Sequence, residues 1–347
     1  MRANNDDTVF RILQDEIPGL TRDDMASPFD QLNIDSFGFI SLRARLEQLA
    51  GYEIGDEIWT AAKCPSDIFK MISAGEVSQN IETFSKIGFR SFNINMPQMA
   101  MSGLSESWLF KELGDMHWNM ITDGLGSPSS GLLDGNGNRL YATFTRISIS
   151  INPFSSYKEN SQLSLCASSF ARFGAGMFFS EIDISPGSGH AQLMSSFTSR
   201  GEKGSNLSLQ KGQPLIPPGC KIPKLENYPV FADGYRARRG NIPAEVIFEY
   251  EYEIVPQHDI NGVGLLYFAA YPVISEICLA KYKDQRHLST SKKDVFYFGN
   301  CDENETLVFR LHKHAENPES VESEMSISRK GDGVLMAYLI TTKQVVK

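Results

Sequence analysis

The chain has 347 residues, 41% hydrophobic and 22% charged, which is enough for two or three globular domains with sizeable cores. Its net charge of −9 argues against nucleic acid or an anionic membrane as the main partner. No apolar signal segment opens the sequence, no apolar stretch is long enough to span a membrane, and the five dispersed cysteines form no C-x-x-C pair. We therefore expect a cytoplasmic protein with reduced thiols, no membrane contact and no metal.

The first 80 residues are acidic and have helical periodicity. They hold 14 Asp or Glu and 7 Lys or Arg, a net charge of −7, which leaves −2 for the rest of the chain. Apolar residues recur at helical spacing in a first helix (Phe10, Leu13, Ile17) and in a second (Phe39, Leu42, Leu46, Leu49), and a last helix is expected over Asp67–Ile72. The pattern predicts a small helical bundle over residues 1–77.

Ser36 stands out in this segment because it follows Asp35 and opens the second predicted helix. A serine at a helix N-terminus ordinarily caps free backbone N–H groups. The run Leu32-x-x-Asp35-Ser36 and its acidic setting resemble an acyl or peptidyl carrier protein, although Phe37 and Gly38 depart from the usual pattern of that family. The resemblance implies a 4′-phosphopantetheine arm on Ser36, attached by a phosphopantetheinyl transferase. The alternative is a merely structural helical domain.

The next part of the chain is predicted to hold a strand, a buried helix and several further strands. Residues 78–91 are polar and are predicted to be a linker, and a first strand is expected at Phe92–Met96. A largely apolar helix follows Leu104, as is typical of a helix inside a domain. Alternating and β-branched runs then predict strands at Leu140–Ile151, Gln162–Arg172, Met177–Ile184 and Gln192–Thr198.

The same order occurs a second time, after an irregular stretch at 199–243. The predicted elements are a strand (Val246–Ile254), a loop, an apolar helix (Leu265–Ala280) and four strands (Val295–Asn300, Thr306–Leu311, Met325–Ser328, Val334–Thr342). We therefore predict an α+β protein in which the helical bundle precedes a double hot-dog fold, with repeats over 92–240 and 241–347. Two antiparallel sheets are expected, each wrapping one long helix.

Several motifs in this part resemble those of the double hot-dog bifunctional acyltransferase/decarboxylases of polyketide assembly, of the type found in leinamycin biosynthesis. They include Gly103-Leu104-Ser105-Glu106-x-Trp108-Leu109, Gly114-Asp115-x-His117-Trp118, Leu140-Tyr141-x-x-Phe144 and Asn261-Gly262-x-x-Leu265-Leu266-Tyr267. Such enzymes take a methylmalonyl or related group from coenzyme A, remove CO2 and leave the acyl group on a carrier protein. The resemblance implies a coenzyme A thioester as substrate and downstream polyketide synthase enzymes as partners, and it leaves a homodimer possible.

Decarboxylation of a malonyl-type thioester needs no metal, because the thioester carbonyl accepts the electrons. It needs N–H donors for the developing enolate oxygen and a source of protons. The backbone of Gly103, Leu104 and Ser105, before the first long helix, is the first candidate for the donors, and Asn261, before the second helix, is the next. In both places a plain strand-to-helix turn is the alternative.

Three further groups are candidates for the site. By resemblance, Tyr141 matches the tyrosine assigned to catalysis, either as proton donor or as acylated nucleophile, and is otherwise a half-buried strand residue. His117 is a candidate for orienting the carboxylate or hydrogen-bonding Tyr141, although a lone histidine on an apolar helix is more often a core residue. The basic cluster of Arg236, Arg238 and Arg239 suits coenzyme A phosphates or the acidic carrier, and suits a solvated loop equally.

Two rival functions remain open from the sequence. One is a hot-dog dehydratase or thioesterase acting on a carrier-bound acyl chain, for which Glu106 and Glu112 are candidate bases and His258-Asp259 a candidate polar pair. The other is a non-catalytic domain that only binds or gates the carrier.

Overall fold

The computed structural model of the chain describes residues 2–32, 34, 36–50, 59, 62–70, 88–101, 103–200 and 205–346. These residues form two compact units, Met1–Lys86 and Ile87–Lys347. Most of the predicted linker, and the predicted helix beyond residue 70, lie outside the described residues. None of the described helices is both long and apolar enough to cross a membrane.

The first unit is helical and has its own apolar core. It contains α1 (Arg2–Glu16), α2 (Ser36–Ala50) and a short helix over 65–70. Leu13, Leu42 and Leu46 are fully buried, as the helical spacing predicts. Arg45 of α2 also forms ion pairs with Asp15 and Glu16 at the end of α1. Ser36 is the first residue of α2, but Asp35 and the side chain of Ser36 lie outside the described part of the structure.

The second unit combines one large antiparallel sheet with three principal helices. Its strands are β1 (Phe89–Asn93), β2 (Met99–Ala100), β3 (Gly103–Leu104), β4 (Tyr141–Ser150), β5 (Gln162–Phe173), β6 (Met177–Ser185), β7 (Gly189–Ser199), β8 (Gln210–Gly212), β9 (Phe248–Glu253), β10 (Leu288–Tyr297), β11 (Thr306–Glu316), β12 (Ser320–Arg329) and β13 (Leu335–Val345). The helices are α3 (Glu106–Leu125), α4 (Val230–Arg239) and α5 (Ala270–Tyr282).

The strand order shows the predicted repeat. One half runs β1-β5-β6-β7-β4 across the sheet, with α3 between its first two strands in the chain. The other half runs β9-β11-β12-β13-β10, with α5 in the equivalent place. Within each half the strands therefore lie in the same spatial order, first-third-fourth-fifth-second. This confirms the double hot-dog arrangement.

The prediction of two separate sheets is wrong. β4 and β10 pair with each other, so the halves join edge to edge in one eleven-stranded sheet. Backbone hydrogen bonding at this junction covers part of the inner edge of each half. The first strand also begins earlier than predicted, at Phe89, inside the stretch assigned to the linker.

The junction between the halves opens into a fork. β4 pairs with β7 over nearly its whole length, from Tyr141 to Ser150. It pairs with β10 only from Arg146 to Ser150. Beyond Tyr297 the chain turns toward β13 instead, where the Phe298 N–H donates to the Met336 carbonyl. The first half of β4 therefore has no strand partner on the β10 side.

Helix positions differ from the predictions in two places. The second long helix begins at Ala270, not Leu265, because residues 261–268 form a hydrogen-bonded loop. The stretch 199–243 is not wholly irregular, since α4 occupies Val230–Arg239. Phe231 and Ala232 of α4 are buried against an apolar cluster that includes Phe179.

A buried charge network ties both long helices to the sheet. The Lys293 ammonium of β10 contacts Glu106 of α3 at 2.5 Å and Glu276 of α5 at 2.8 Å, and Glu276 also pairs with Lys343. Burial alone would raise the pKa of Glu276, but the two ammonium groups outweigh burial and hold it at about 2. Burial likewise disfavours the Lys293 ammonium, yet Glu106 and Glu276 raise its pKa.

Candidate functional site

A cavity of about 640 Å³ lies in the fork between β4 and β10. Its walls come from the middle of α3, the start of β4, the end of β7, the segment at 206–211, the loop at 261–268 and residues 297–300 after β10. Of the residues selected from the sequence, Tyr141, His117, Asn261 and Arg239 line it. The divergence of two paired strands thus creates the space, and both repeats contribute to the cavity wall, the first more than the second.

Tyr141 and His117 lie on opposite faces of the sheet. The His117 ring is 5.4 Å from the Phe144 ring, and His117 bonds to Ser195, which is paired with Phe144. Phe144 therefore faces α3. Side chains alternate along a strand, so Tyr141 and Thr143 point to the other face. A hydrogen bond from His117 to Tyr141, one of the two site roles for which His117 was a candidate, is therefore not formed.

His117 is a fully buried, neutral residue of α3. Its Nδ1 lies 2.7 Å from Ser180 Oγ and its Nε2 2.8 Å from Ser195 Oγ. Burial lowers the pKa of His117 to about 3, so it is uncharged at neutral pH. A neutral imidazole donates through one nitrogen and accepts through the other. Both nitrogens are therefore occupied in bonding α3 to β6 and β7.

Tyr141 is half-buried at the start of β4 and stands beside two guanidinium groups. The Arg139 and Arg200 guanidinium carbons lie 5.3 Å and 4.9 Å from the centre of its ring. Its hydroxyl has no hydrogen-bond partner among the residues that the structure describes. Sequence reasoning missed both arginines, although Arg139 is only two positions away. The tyrosine hydroxyl is free to bond a ligand in the cavity.

The Asn261 side chain organises the loop before α5. Its Oδ1 accepts hydrogen bonds from the Val263 and Leu265 N–H groups at 3.1 and 3.0 Å. Asn300 fastens the other end by accepting from the Leu266 N–H at 2.9 Å. The loop leads into α5, whose N-terminus has no side-chain cap. Since Phe268 and Tyr271 line the cavity, this helix start lies at the cavity wall.

Gly103, Leu104 and Ser105 do not line the cavity. The Ser105 N–H donates to the Gln98 carbonyl at 2.8 Å, and its Oγ caps the Trp108 N–H at 3.3 Å. Gly103 has φ +146°, and a Cβ there would sit 2.2 Å from the Phe154 carbonyl oxygen. The structure therefore gives these residues the turn-and-cap role that the sequence left as the alternative.

The three arginines at 236–239 belong to α4 and not to a solvated loop. Arg236 stacks on the Tyr228 ring at 4.7 Å. Arg238 stacks on Tyr338 at 4.7 Å and lies 3.7 Å from Glu324. Only Arg239 of the three lines the cavity. The cluster is thus divided between anchoring α4 and the cavity wall.

Acidic groups are nearly absent from the described cavity wall. Asp115 is the one Asp or Glu among the lining residues, and it accepts from Arg90 at 2.7 Å. The candidate bases Glu106 and Glu112 lie elsewhere, paired with Lys293 and Arg90. The described part of the chain also contains no cluster of three or more His, Cys, Asp or Glu side chains that could hold a metal ion.

The second candidate pair before α5 is also separated from the cavity. His258 is exposed, whereas Asp259 is buried and accepts hydrogen bonds from the Tyr252 hydroxyl at 3.0 Å and the Val255 N–H at 2.8 Å. Neither residue lines the cavity. Asp259 therefore stabilises the turn that leads into the Asn261 loop.

Solved structures share the fold of the larger unit. A protein from Lactobacillus plantarum, provisionally described as an oleoyl thioesterase, is 11% identical, with a TM-score of 0.56 over 74% of this chain and 95% of that one. An acyl-ACP thioesterase from Bacteroides thetaiotaomicron is 10% identical (TM-score 0.48; 74% and 97% covered). The 12:0-ACP thioesterase from Umbellularia californica is 9% identical (TM-score 0.49; 74% and 96% covered).

No protein-family model and no curated protein matches the sequence. At 11% identity, the likeness to the Lactobacillus plantarum structure concerns the fold, and it spans nearly the whole of that protein. Together with the strand order of its two halves, it shows that about three quarters of the chain has the hot-dog fold also found in that thioesterase structure.

Proposed function

We propose that this protein transfers a malonyl-type acyl group from coenzyme A to a phosphopantetheine thiol and removes CO2. The acyl group is methylmalonyl or malonyl, and the product is a short acyl thioester for polyketide biosynthesis. The arm is the 4′-phosphopantetheine on Ser36, installed by a phosphopantetheinyl transferase, and downstream polyketide synthase enzymes take up the product.

One observation carries this choice of reaction: the described cavity wall has a free tyrosine hydroxyl but no free carboxylate. Thioester hydrolysis needs a base to activate water. Asp115 is held by Arg90, and the low pKa of His117 makes it a poor base as well as a fully bonded one. Transfer and decarboxylation need no such base, because a thiol is already partly ionised to the thiolate at neutral pH and releases its proton to solvent, and the breaking C–C bond supplies the electron pair of the enolate.

The reaction has two steps, acyl transfer and decarboxylation. In transfer, the arm thiolate attacks the thioester carbonyl, and the C–S bond to coenzyme A breaks to release its thiolate. In decarboxylation, the C–C bond to the carboxylate breaks, CO2 leaves, and the electron pair forms a thioester enolate. A proton added to the α-carbon then completes the acyl group. We assign that proton, or a hydrogen bond to the enolate oxygen, to the Tyr141 hydroxyl.

The start of α5 is our candidate for stabilising the negative oxygen in both steps. The Ala270 N–H already donates to the Tyr267 carbonyl at 2.8 Å, and Pro272 has no N–H. The donors that this helix start can offer are therefore the N–H groups of Tyr271 and Val273, together with the positive helix dipole. Asn261 and Asn300 fix the loop that leads into it. Preorganised donors of this kind typically contribute a large share of rate enhancement. We place Asn261 in the site as a positioning residue.

The helical unit suits the role of acceptor. Ser36 begins α2, where the helix dipole favours a phosphodiester anion. The net charge of −7 over the first 80 residues would attract basic surfaces of partner enzymes. Arg236 and Arg239, exposed on α4, are our candidates for contacts with the phosphates of coenzyme A or with the carrier, and Arg238 is a weaker one because Glu324 already holds it.

A thioesterase acting on a carrier-bound acyl chain is the second candidate. It is favoured by the fold that this chain shares with the Lactobacillus plantarum structure. The cavity wall is the argument against it, because hydrolysis would have to proceed without a free carboxylate.

The test uses the full chain after phosphopantetheinylation. Incubation with malonyl-CoA or methylmalonyl-CoA should add an acyl group that has lost CO2, seen in the intact mass. Ser36→Ala protein should not be loaded, and Tyr141→Phe should decarboxylate at least ~100-fold more slowly. A mass gain that retains the carboxylate in every sample, or release of free acid at the rate of substrate consumption, would overturn the proposal.

A further inference from the structure

Tyr141 is the first of three side chains that lie in a row across three neighbouring strands. Tyr141 on β4 is directly paired with Thr198 on β7, and Thr198 is paired with Lys211 on β8. Directly paired residues of antiparallel strands point to the same face, about 5 Å apart. All three line the cavity. They therefore form one continuous polar strip on the sheet face opposite α3.

The strip carries positive charge that is not neutralised by the described residues around it. Arg139 and Lys211 are exposed, line the cavity and form no ion pair with a described carboxylate. Arg200 is held by the Asn206 side chain at 3.0 Å and by the Val263 carbonyl, both of them neutral partners. Two guanidinium groups thus flank the Tyr141 ring, and Lys211 lies beside its neighbour Thr198.

Two hydroxyl groups in the strip also lack partners. Thr198 Oγ1 is buried and has no hydrogen-bond partner in the described part of the chain. A buried hydroxyl without a partner loses about 1–3 kcal/mol of hydrogen bonding to water, so it is rarely left that way without a ligand. The Tyr141 hydroxyl is similarly free. Donors and cations together, without a competing carboxylate, are the chemistry of an anion site.

We propose that Arg139, Thr198 and Lys211 recognise the free carboxylate of the acyl group, so that the cavity selects malonyl-type over uncharged acyl thioesters. The inference rests on the proposed function, because it takes Tyr141 to be at the reacting group. The phosphates of coenzyme A lie at the far end of the pantetheine arm from the thioester. They cannot reach this strip while the acyl group is at Tyr141.

The exposure of the two cations fits a substrate that must lose its carboxylate. A deeply buried ion pair would stabilise the carboxylate against CO2 loss. Surface cations hold an anion more weakly, because water and salt screen them. Such a strip selects the substrate on binding and leaves the C–C bond free to break.

The test measures binding of two inert thioethers to the full-length protein by calorimetry. S-(2-carboxyethyl)-CoA carries a carboxylate at the same distance from sulfur as malonyl-CoA does, and S-propyl-CoA has no carboxylate. Neither can decarboxylate or acylate the protein. Each of the two cations should contribute roughly fivefold, the size of one screened ion pair, so we expect S-(2-carboxyethyl)-CoA to bind about 25-fold more tightly. Lys211→Gln and Arg139→Gln should each reduce this preference roughly fivefold without changing S-propyl-CoA binding.

Thr198→Val serves as a variant that keeps the fold, since it removes only a hydroxyl without a partner. It should reduce the preference with no loss of thermal stability. Lys221→Gln, which removes an exposed lysine that does not line the cavity, is the matched control and should leave both affinities unchanged.

Equal weakening of both thioethers in the Lys211 and Arg139 variants would overturn the proposal, since the cations would then hold the coenzyme A phosphates. No preference in the wild type would also overturn it. Neither result depends on turnover, so a failure of decarboxylation would not imitate a failure of this site.

Discussion

The two halves of the sheet have the same strand order, but their long helices differ in how the N-terminus is capped and in which contacts join the helix to the sheet. In the first half, α3 begins with a serine cap and is fastened through a neutral imidazole between two serines. In the second half, α5 begins without a side-chain cap and is fastened by Glu276 between two lysines. The capped start of α3 lies away from the cavity, and the uncapped start of α5 lies at the cavity wall. The start of α3 is thus closed by a side chain, and the start of α5 is our candidate for the backbone donors.

The largest expected effect comes from breaking the charge network that joins the halves. Lys293→Met removes a buried ammonium group from the partly exposed Glu106 and Glu276 carboxylates and should lower the free energy of unfolding by about 3 kcal/mol, the low end for breaking a buried pair. The measurement is urea unfolding followed by tryptophan fluorescence. Lys283→Gln, which breaks only the exposed pair with Glu316, should cost about 1 kcal/mol or less. Similar losses in the two variants would contradict this account of the network.

A pair of glycine substitutions compares the two helix starts. Gly103→Ala forces a Cβ against the Phe154 backbone at a positive φ and should cost about 2–3 kcal/mol. Gly262 lies in the corresponding loop of the second half, and a Cβ added there would meet nothing within 4 Å. Gly262→Ala should therefore change the free energy of unfolding by no more than about 0.5 kcal/mol. Thermal unfolding of both variants checks the comparison, and equal shifts would refute it.

As the pH falls, the protein should lose the contribution of His117 to its stability before that of Glu276. The pKa of His117 falls to about 3 on folding, so the unfolded chain binds the extra proton between about pH 6.5 and 3. Stability is therefore lost as the pH falls through this window, with a slope of at most about 1.4 kcal/mol per pH unit. Glu276, with a pKa of about 2, contributes stability that is lost only below about pH 4.5.

Unfolding measured between about pH 6.5 and 5 separates the two groups. His117→Gln should flatten the pH dependence in that interval while leaving the steeper loss below about pH 4.5 in place. An unchanged slope in the His117→Gln protein would show that the imidazole is not held neutral.

Much of the fold was predictable, because two runs of alternating strands around an apolar helix are distinctive. The junction was not, since pairing of β4 with β10 depends on register between segments far apart in the chain. Helix α4 was missed because its apolar side is small, essentially Phe231 and Ala232 in an arginine-rich run. The start of α5 was placed too early because Leu265 and Leu266 continue the apolar pattern of the helix while their N–H groups bond to asparagine side chains.

The site was only partly visible in the sequence. Tyr141 was found by resemblance and Asn261 by its place before the second predicted helix, and both line the cavity. The cationic strip was missed, although Tyr141 and Thr143 on one strand and Ser196 and Thr198 on another already mark one polar face. What the sequence lacked was the register that sets those faces side by side and brings Lys211 next to them.

The smallest expected change in stability comes from substitutions at the two helix starts, which should differ in their effect on turnover. Ser105→Ala removes the cap of α3 and should cost about 1 kcal/mol of stability with an unchanged turnover number. Asn261→Ala removes the acceptor of two backbone N–H groups and should lower turnover at least ~10-fold for a similar loss of stability. Lower turnover in Ser105→Ala with unchanged turnover in Asn261→Ala would contradict this account and would indicate that the catalytic donors lie before α3.

The central claim is that the cavity passes an acyl group on and does not hydrolyse it. Its most direct test follows malonyl-CoA labelled with ¹³C at the thioester carbonyl by NMR, in the presence of the phosphopantetheinylated full chain. We predict that the label appears as an acyl thioester on the protein, with one CO2 released for each acyl group loaded. Appearance of the label as free malonate or acetate at the rate of substrate consumption, with no labelled protein, would contradict the account.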